Sequence, residues 1–379
     1  MSERIRPTGK ALLLAIILTL VLQPMTNVDF TPASLEAQPT VGETGGRAAQ
    51  TEWTAVADTV NGGTGSILWP DSIAVDGSGD VLSIGTLIGE ATFGSHTSSF
   101  TGSYIQQAYI GKADSMNGNW MWLTDTGVYA GGGFAGMTGV AAHMNSIYVC
   151  GWFSGNVTFG GDQFRSTQDS QDFFVSKLDS SGAFVWTAVG GGATSDDTCE
   201  DVAVDSSGNV FTAGSFNGSA NFHSTGVSSA GKVDAWFARM DISANPAGGN
   251  RWDWVQTDGG PEEDYGACIA TDGTNVYGCG WFTGTADFGT QQLQAIGQYD
   301  SFIVKLGTSG SFVDVNAAGA TGGIVQIFDM VADAGKTYST GHITGTANFG
   351  LNQVSSGSGG ATDRFIFVAE LGANNLWTW

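Results

Sequence analysis

A chain of 379 residues with 58 glycines, 22 phenylalanines and 12 tryptophans, of which only 13% is charged, is not composed like a helical protein. Helices draw heavily on Leu, Glu and Lys, whereas glycine punctuates turns and aromatic residues fill pleated faces. The formal net charge is −23, and after residue 26 ten Lys and Arg stand against 35 Asp and Glu. This surface repels phosphate backbones and argues against nucleic acid as a partner. It suits a saline exterior, a cationic partner or bound metal ions.

Residues 1–26 place Arg4, Arg6 and Lys10 ahead of an apolar run from Ala11 to Leu22. The order is that of a signal peptide or signal anchor, because the run is shorter than the roughly 20 residues that span a bilayer. A membrane enters only if this segment stays uncleaved. Residues 27–50, rich in Thr, Pro, Ala, Gly and Glu, read as a disordered linker.

From residue 51 to 379 one pattern returns five times. Phe-Gly recurs at Phe93, Phe159, Phe288 and Phe349, with Phe222-His223 in the remaining slot, at intervals of 66, 63, 66 and 61 residues. An apolar strand ending in Asp precedes it, as in Ile73–Asp76, Val202–Asp205, Ile269–Asp272 and Met330–Asp333, with His143 in the second copy. A Gly-containing turn and a second strand follow, a strong hairpin signal. An Asp-led third strand comes next (Asp172, Asp234, Asp300, Asp363). A fourth carries Trp122, Trp186, Trp254 or Trp379, with Val315 in the same slot.

Each copy therefore predicts four antiparallel strands, a to d. On strand c, Phe174, Trp236 and Phe302 lie on one face, while Val175, Phe237 and Ile303 lie on the other. A strand apolar on both faces must be covered on both. Blades packed radially supply that cover, so the expected fold is an all-β, five-bladed β-propeller. The run of landmarks from Ile-Ala-Val-Asp through Gly-Asn-Val, Phe-Gly and Asp-x-Phe-Val-x-Lys-Leu-Asp to Trp resembles the SBBP-type β-propeller repeat of exported bacterial and archaeal proteins. The resemblance covers about residues 53–379 and is strongest from Asp172 to Trp254. It implies a propeller in an extracellular setting and no catalytic residues.

A sixth copy of strand d, Glu52 to Val56, matches Val185 to Val189. Either it joins the last blade and closes a five-bladed ring, or the chain is part of a ring with more blades; closure hides an edge and is the expectation adopted.

Lys112, Lys177, Arg239 and Lys305 share one position of strand c and predict a repeated ion pair with the strand-a or strand-c aspartates. Asp196-Asp197 and Glu263-Asp264 occupy equivalent d–a connections of adjacent copies, next to Glu200, Asp201 and Glu262. These four acids are the candidate metal site, with Ca²⁺ the cation their oxygens would suit; turn capping is the competing reading. The turns at Asp76 and Asp205 lack the distal Glu of a Ca²⁺ loop and read as hairpins. His96, His143, His223 and His342 show no Zn²⁺ spacing. Cys199 and Cys268 are the pair placed to bridge, while Cys150 and Cys279 read as packing residues. Trp152-Phe153 and Trp281-Phe282 read as inter-blade core ahead of a sugar-stacking platform.

The function expected is a secreted or cell-surface scaffold that presents its loop rim to a protein or glycan, without catalysis. The alternatives are an extracellular polysaccharide hydrolase or lyase, which needs two facing carboxylates, and a structural module of a larger surface protein.

Overall fold

The computed structural model describes residues 55–59, 67–98, 106–193, 195–242, 251–355 and 363–378. The signal segment, the linker, residues 52–54 of the additional d strand and Trp379 lie outside the described residues. The described chain is all-β apart from one short 3₁₀ turn at Thr167–Asp169, and forms a five-bladed β-propeller. No helix among the described residues is long and apolar enough to cross a membrane.

Blade 1 comprises strands a to d at Ile67–Val75, Val81–Ile88, Gln106–Ala113 and Trp120–Asp125. Blade 2 runs Gly127–His143, Ser146–Phe159, Gln171–Asp179 and Phe184–Gly190. Blade 3 is Thr198–Val204, Val210–Phe222, Thr225–Met240 and Trp252–Asp258. Blade 4 is Asp264–Thr271, Asn275–Phe282, Asp300–Gly307 and Phe312–Ala320. Blade 5 has Ile324–Asp333, Lys336–Thr344 and Phe365–Leu371, with Trp377 bridged to Leu371 where a fourth strand would run. Neighbouring strands pair antiparallel in the order a-b-c-d throughout.

Local chemistry explains the hairpins. Asp76 Oδ1 accepts the amides of Ser78 and Asp80, and Asp205 Oδ1 those of Ser207 and Asn209. The chain then turns through Gly79 and Gly208 at φ of 86° and 83°, which only glycine adopts without strain. These aspartates cap turns, as the hairpin reading expects. The Phe-Gly landmark has the same origin: Gly94, Gly160, Gly289 and Gly350 lie between φ 54° and 64°, and His223 holds φ 55° in their place.

Blades are joined twice over. Apolar faces interlock, for example Cys150, Phe173 and Val175 of blade 2 with Cys199 and Val202 of blade 3. The tail of each strand d also reaches the ribbon that follows the next strand b, as in Gly191 with Asn221, Gly259 with Asp287, and Ala318 with Phe349. A strand at Ala57–Thr59 makes the same contact ahead of blade 1, pairing Ala57 with Phe93 and Asp58 with Thr92. Among the described residues no ladder joins it to strand c of blade 5.

Two register details correct the sequence reading. Lys305 pairs with Asp314, so Asp314, not Val315, stands in the Trp186 slot. The Asp172 slot holds Phe365 in blade 5, because Leu371 aligns with Leu178; Asp363 lies two residues outside.

Candidate functional site

The repeated cation does not make a repeated ion pair. Among the described residues only Lys112 is clamped between two carboxylates, Asp76 at 2.6 Å and Asp80 at 2.9 Å, with all three side chains nearly buried. Burial alone would lower the Lys112 pKa, but the two carboxylates outweigh it and hold it above its ordinary value. In blades 2 and 4 a tyrosine intervenes: Lys177 lies over Tyr148 and Lys305 over Tyr277, whose hydroxyl donates to Asp272 at 3.1 Å. Arg239 donates to Asn209 Oδ1 at 2.7 Å and pairs with Asp253 at 3.3 Å. In blade 5 the charges are exchanged, with Glu370 in the cation slot and Lys336 opposite at 3.1 Å. Among the described residues no cation pairs with Asp172, Asp234 or Asp300. Asp172, Asp234 and Asp300 are buried and accept amides from three to five residues earlier in the chain: Thr167, Ala230, and Ile296 with Gly297.

The four rim acids separate into two kinds, because adjacent residues entering a strand point to opposite sides. Asp197 and Asp264 are fully buried. Asp197 accepts the amides of Gly192 at 2.6 Å and Asn217 at 3.1 Å, and Asp264 those of Gly260 at 2.6 Å and Thr283 at 3.4 Å. Each stitches its d–a connection to the end of strand b. Burial pushes both carboxyls up to about 7, against the lowering effect of those backbone donors. Asp234 and Asp258 are raised to about 6, again chiefly by burial. Asp196 is exposed, with Oδ1 accepting the Gln171 amide at 3.3 Å, and Glu263 is half-buried. Glu262 pairs with Lys232 across two blades at 2.8 Å. Among the described residues no three His, Cys, Asp or Glu side chains gather in a metal-holding group. Both oxygens of Asp197 and of Asp264 already accept backbone amides.

The cysteines rearrange the predicted pairing. Cys268 is bonded to Cys279 across strands a and b of blade 4, not to Cys199. Cys199 lies buried beside Cys150 of the preceding blade, where the Thr138 hydroxyl touches the Cys150 sulfur at 3.9 Å and donates to the Cys199 carbonyl at 2.6 Å.

The same rim carries one position that varies sharply between copies. At the end of strand b, two residues beyond Ile84, Cys150, Ala213, Cys279 and Thr340, stand Thr86, Trp152, Ser215, Trp281 and His342. Thr86 and Ser215 are small and buried. Trp281 is half-buried and stacks on the half-buried Tyr265 directly across the a–b ladder, with ring centroids 5.6 Å apart at 30°. Phe328 of blade 5 meets Trp281 edge-on at 5.9 Å and packs against His342 at 5.0 Å. His342 is buried with neither ring nitrogen hydrogen-bonded, and burial lowers its pKa to about 4. The aromatic pairs of the sequence reading are thus split: Phe153 and Phe282 are fully buried core, while Trp152 and Trp281 are half-buried, Trp281 packed against the core shared by blades 4 and 5. The readable signal for this patch was that strand-b slot, aligned across copies. Tyr265 and Phe328 carried no signal of their own, since Thr198 and Glu200 hold the same positions in blade 3.

Together these features define a β-propeller of four-stranded repeats whose junctions are topped by chemically different residues. Residues 185–223, from strand d of blade 2 to the end of strand b of blade 3, match the SBBP family, the beta-propeller repeat. No curated protein sequence matches the chain.

Proposed function

We propose that this propeller is a non-catalytic scaffold, secreted or held at the cell surface, that binds a glycan at the Tyr265–Trp281 patch between blades 4 and 5. One observation carries the reading: two stacked aromatic rings stay half-buried at the rim, at a slot the other junctions fill with a small or differently packed residue. An aromatic face of this kind offers apolar contact to the C–H face of a sugar ring while its polar tip stays wet. Glu263 and Asp329, two residues and one residue from Tyr265 and Phe328 in sequence, supply carboxylates suited to accepting hydroxyl protons. The high negative charge favours a neutral or cationic glycan over an acidic one.

Titration with neutral and cationic polysaccharides, followed by tryptophan fluorescence, tests this. Trp281→Ala is expected to abolish the response, and Trp152→Ala, in the matching slot between blades 2 and 3, to leave it intact. A response that survives Trp281→Ala overturns the site. Release of reducing ends during the titration would favour the hydrolase reading instead.

A further inference from the structure

The four internal junctions are built alike, and the two outer faces of the propeller are the two halves of that same junction left uncovered. Strand a of each blade buries one apolar residue against its predecessor: Val140, Val202, Ile269 and Met330 are 3–7% exposed. Ile73 holds this position in blade 1 and is 72% exposed, with Val75 at 62%. On the other side, Ile110, Val175, Phe237 and Ile303 of strand c are at most 1% exposed beneath the following blade. Val368 holds this position in blade 5 and is 58% exposed, beside Ile366 at 83%. Burying such side chains is favourable, and uncovered apolar sheet faces mark interaction surfaces.

The backbone carries the same unfinished pattern. In blade 2, Gly190 pairs with Phe173 of strand c before the chain bridges from Gly191 to Asn221 of blade 3. In blade 4, Ala318 pairs with both Ser301 and Phe349. Ala57 has the Phe93 half of this arrangement and lacks the strand-c half among the described residues. The residue waiting in that register is Ile366 of blade 5, whose strand is laddered among the described residues on one side only, to strand b, apart from the Leu371–Trp377 bridge.

We propose that this chain assembles head to tail with a second copy of itself, blade 1 of one copy packing on blade 5 of the next. Ile73 and Val75 cover Ile366 and Val368, and residues 55–57 of the incoming copy add a fourth strand along Phe365–Leu371. The interface is heterologous, so it repeats from copy to copy. Its occupant is set by continuity with the four junctions already in the fold, whose two sides are the two faces left open. Within one copy these faces do not meet, as their exposure records.

Light scattering of the full chain across a dilution series tests the proposal. The mass is expected to rise with concentration in whole multiples of one chain. Ile73→Lys and Val368→Lys should each stop growth, with circular dichroism unchanged since both positions are exposed. Mixed in equal amounts, the two variants retain one intact face each and should give a dimer and nothing larger. A wild-type mass fixed at one chain overturns the proposal, including the case in which the amides of residues 55–57 are protected from exchange because the chain closes on itself. Continued growth of either variant overturns it as well.

Discussion

Blades 3 and 5 start from the same repeat and end in opposite conditions. In blade 3 both faces of strand c are covered: Trp236 and Phe237 are fully buried, and Asp234 is buried as a cap. In blade 5 the equivalent strand keeps one face open, carries Phe365 in the Asp slot at 39% exposure, and places Glu370 where blade 3 has Arg239. A repeated motif specifies a strand and its alternation, but the neighbouring blade decides what each position costs. Losing a cover converts a core position into a surface one without changing its residue type.

The largest expected effect comes from the covered strand. Phe237→Ala should destabilise the propeller by about 3–5 kcal/mol in urea unfolding, whereas Val368→Ala in dilute solution should cost under about 1 kcal/mol. Similar costs at the two positions would break the comparison.

The ion pairs sharpen it next. Lys112→Met leaves Asp76 and Asp80 nearly buried without their cation and should cost about 3 kcal/mol. Lys336→Met removes a partner that is 44% exposed and screened by solvent, and should shift the midpoint far less than Lys112→Met. Lys305→Met, losing chiefly its position over Tyr277, should cost about as little. Denaturant midpoints of the three variants rank them.

The Cys268–Cys279 bond spans strands a and b of blade 4. Replacing both cysteines by Ala should cost about 2 kcal/mol, read as a lower thermal midpoint that reductant no longer changes. Cys150 and Cys199 are buried thiols and should react with an alkylating reagent only after unfolding.

The broadest effect is pH dependence, set by carboxyls in blades 3 and 4 that burial holds above their ordinary pKa. Asp197 and Asp264 near 7, with Asp234 and Asp258 near 6, lie above their unfolded value. The folded state therefore holds protons more tightly. This contribution is complete below about pH 4 and is lost as pH rises through 6 to 7. His342, lowered to about 4, opposes it by favouring the folded state above 6.5 and losing that contribution as pH falls through 4. Thermal stability should accordingly rise from about pH 8 to about pH 5, and Asp264→Asn should flatten that slope. A slope unchanged by Asp264→Asn would remove this carboxyl from the account.

Much of this was legible in the residues. Strand boundaries, hairpins and the five copies followed from alternation and from turn chemistry at Asp205, Gly208 and Phe222-His223, which acts over a few residues. The cation slot was legible as a slot, but its partners were not. Tyr148 and Tyr277 intrude from strand b, and nothing in the spacing of Lys177 or Lys305 announces them. The rim acids were found as a cluster and turned out to be two buried caps beside exposed or half-buried neighbours. Whether Asp197 points in or out depends on where the amides of Gly192 and Asn217 lie, and those belong to the d–a connection and to strand b.

The amino-acid sequence alone determined the all-β class, the order of strands within a copy and the order in which the copies follow, because backbone preference and period-two patterning are local. Tertiary structure decided which faces are covered, which carboxylates are held near neutrality, and which of two equivalent tryptophans stacks with a tyrosine at the rim. Burial belongs to a residue's neighbours, and in this chain the neighbours come from the next blade, some 60 residues away.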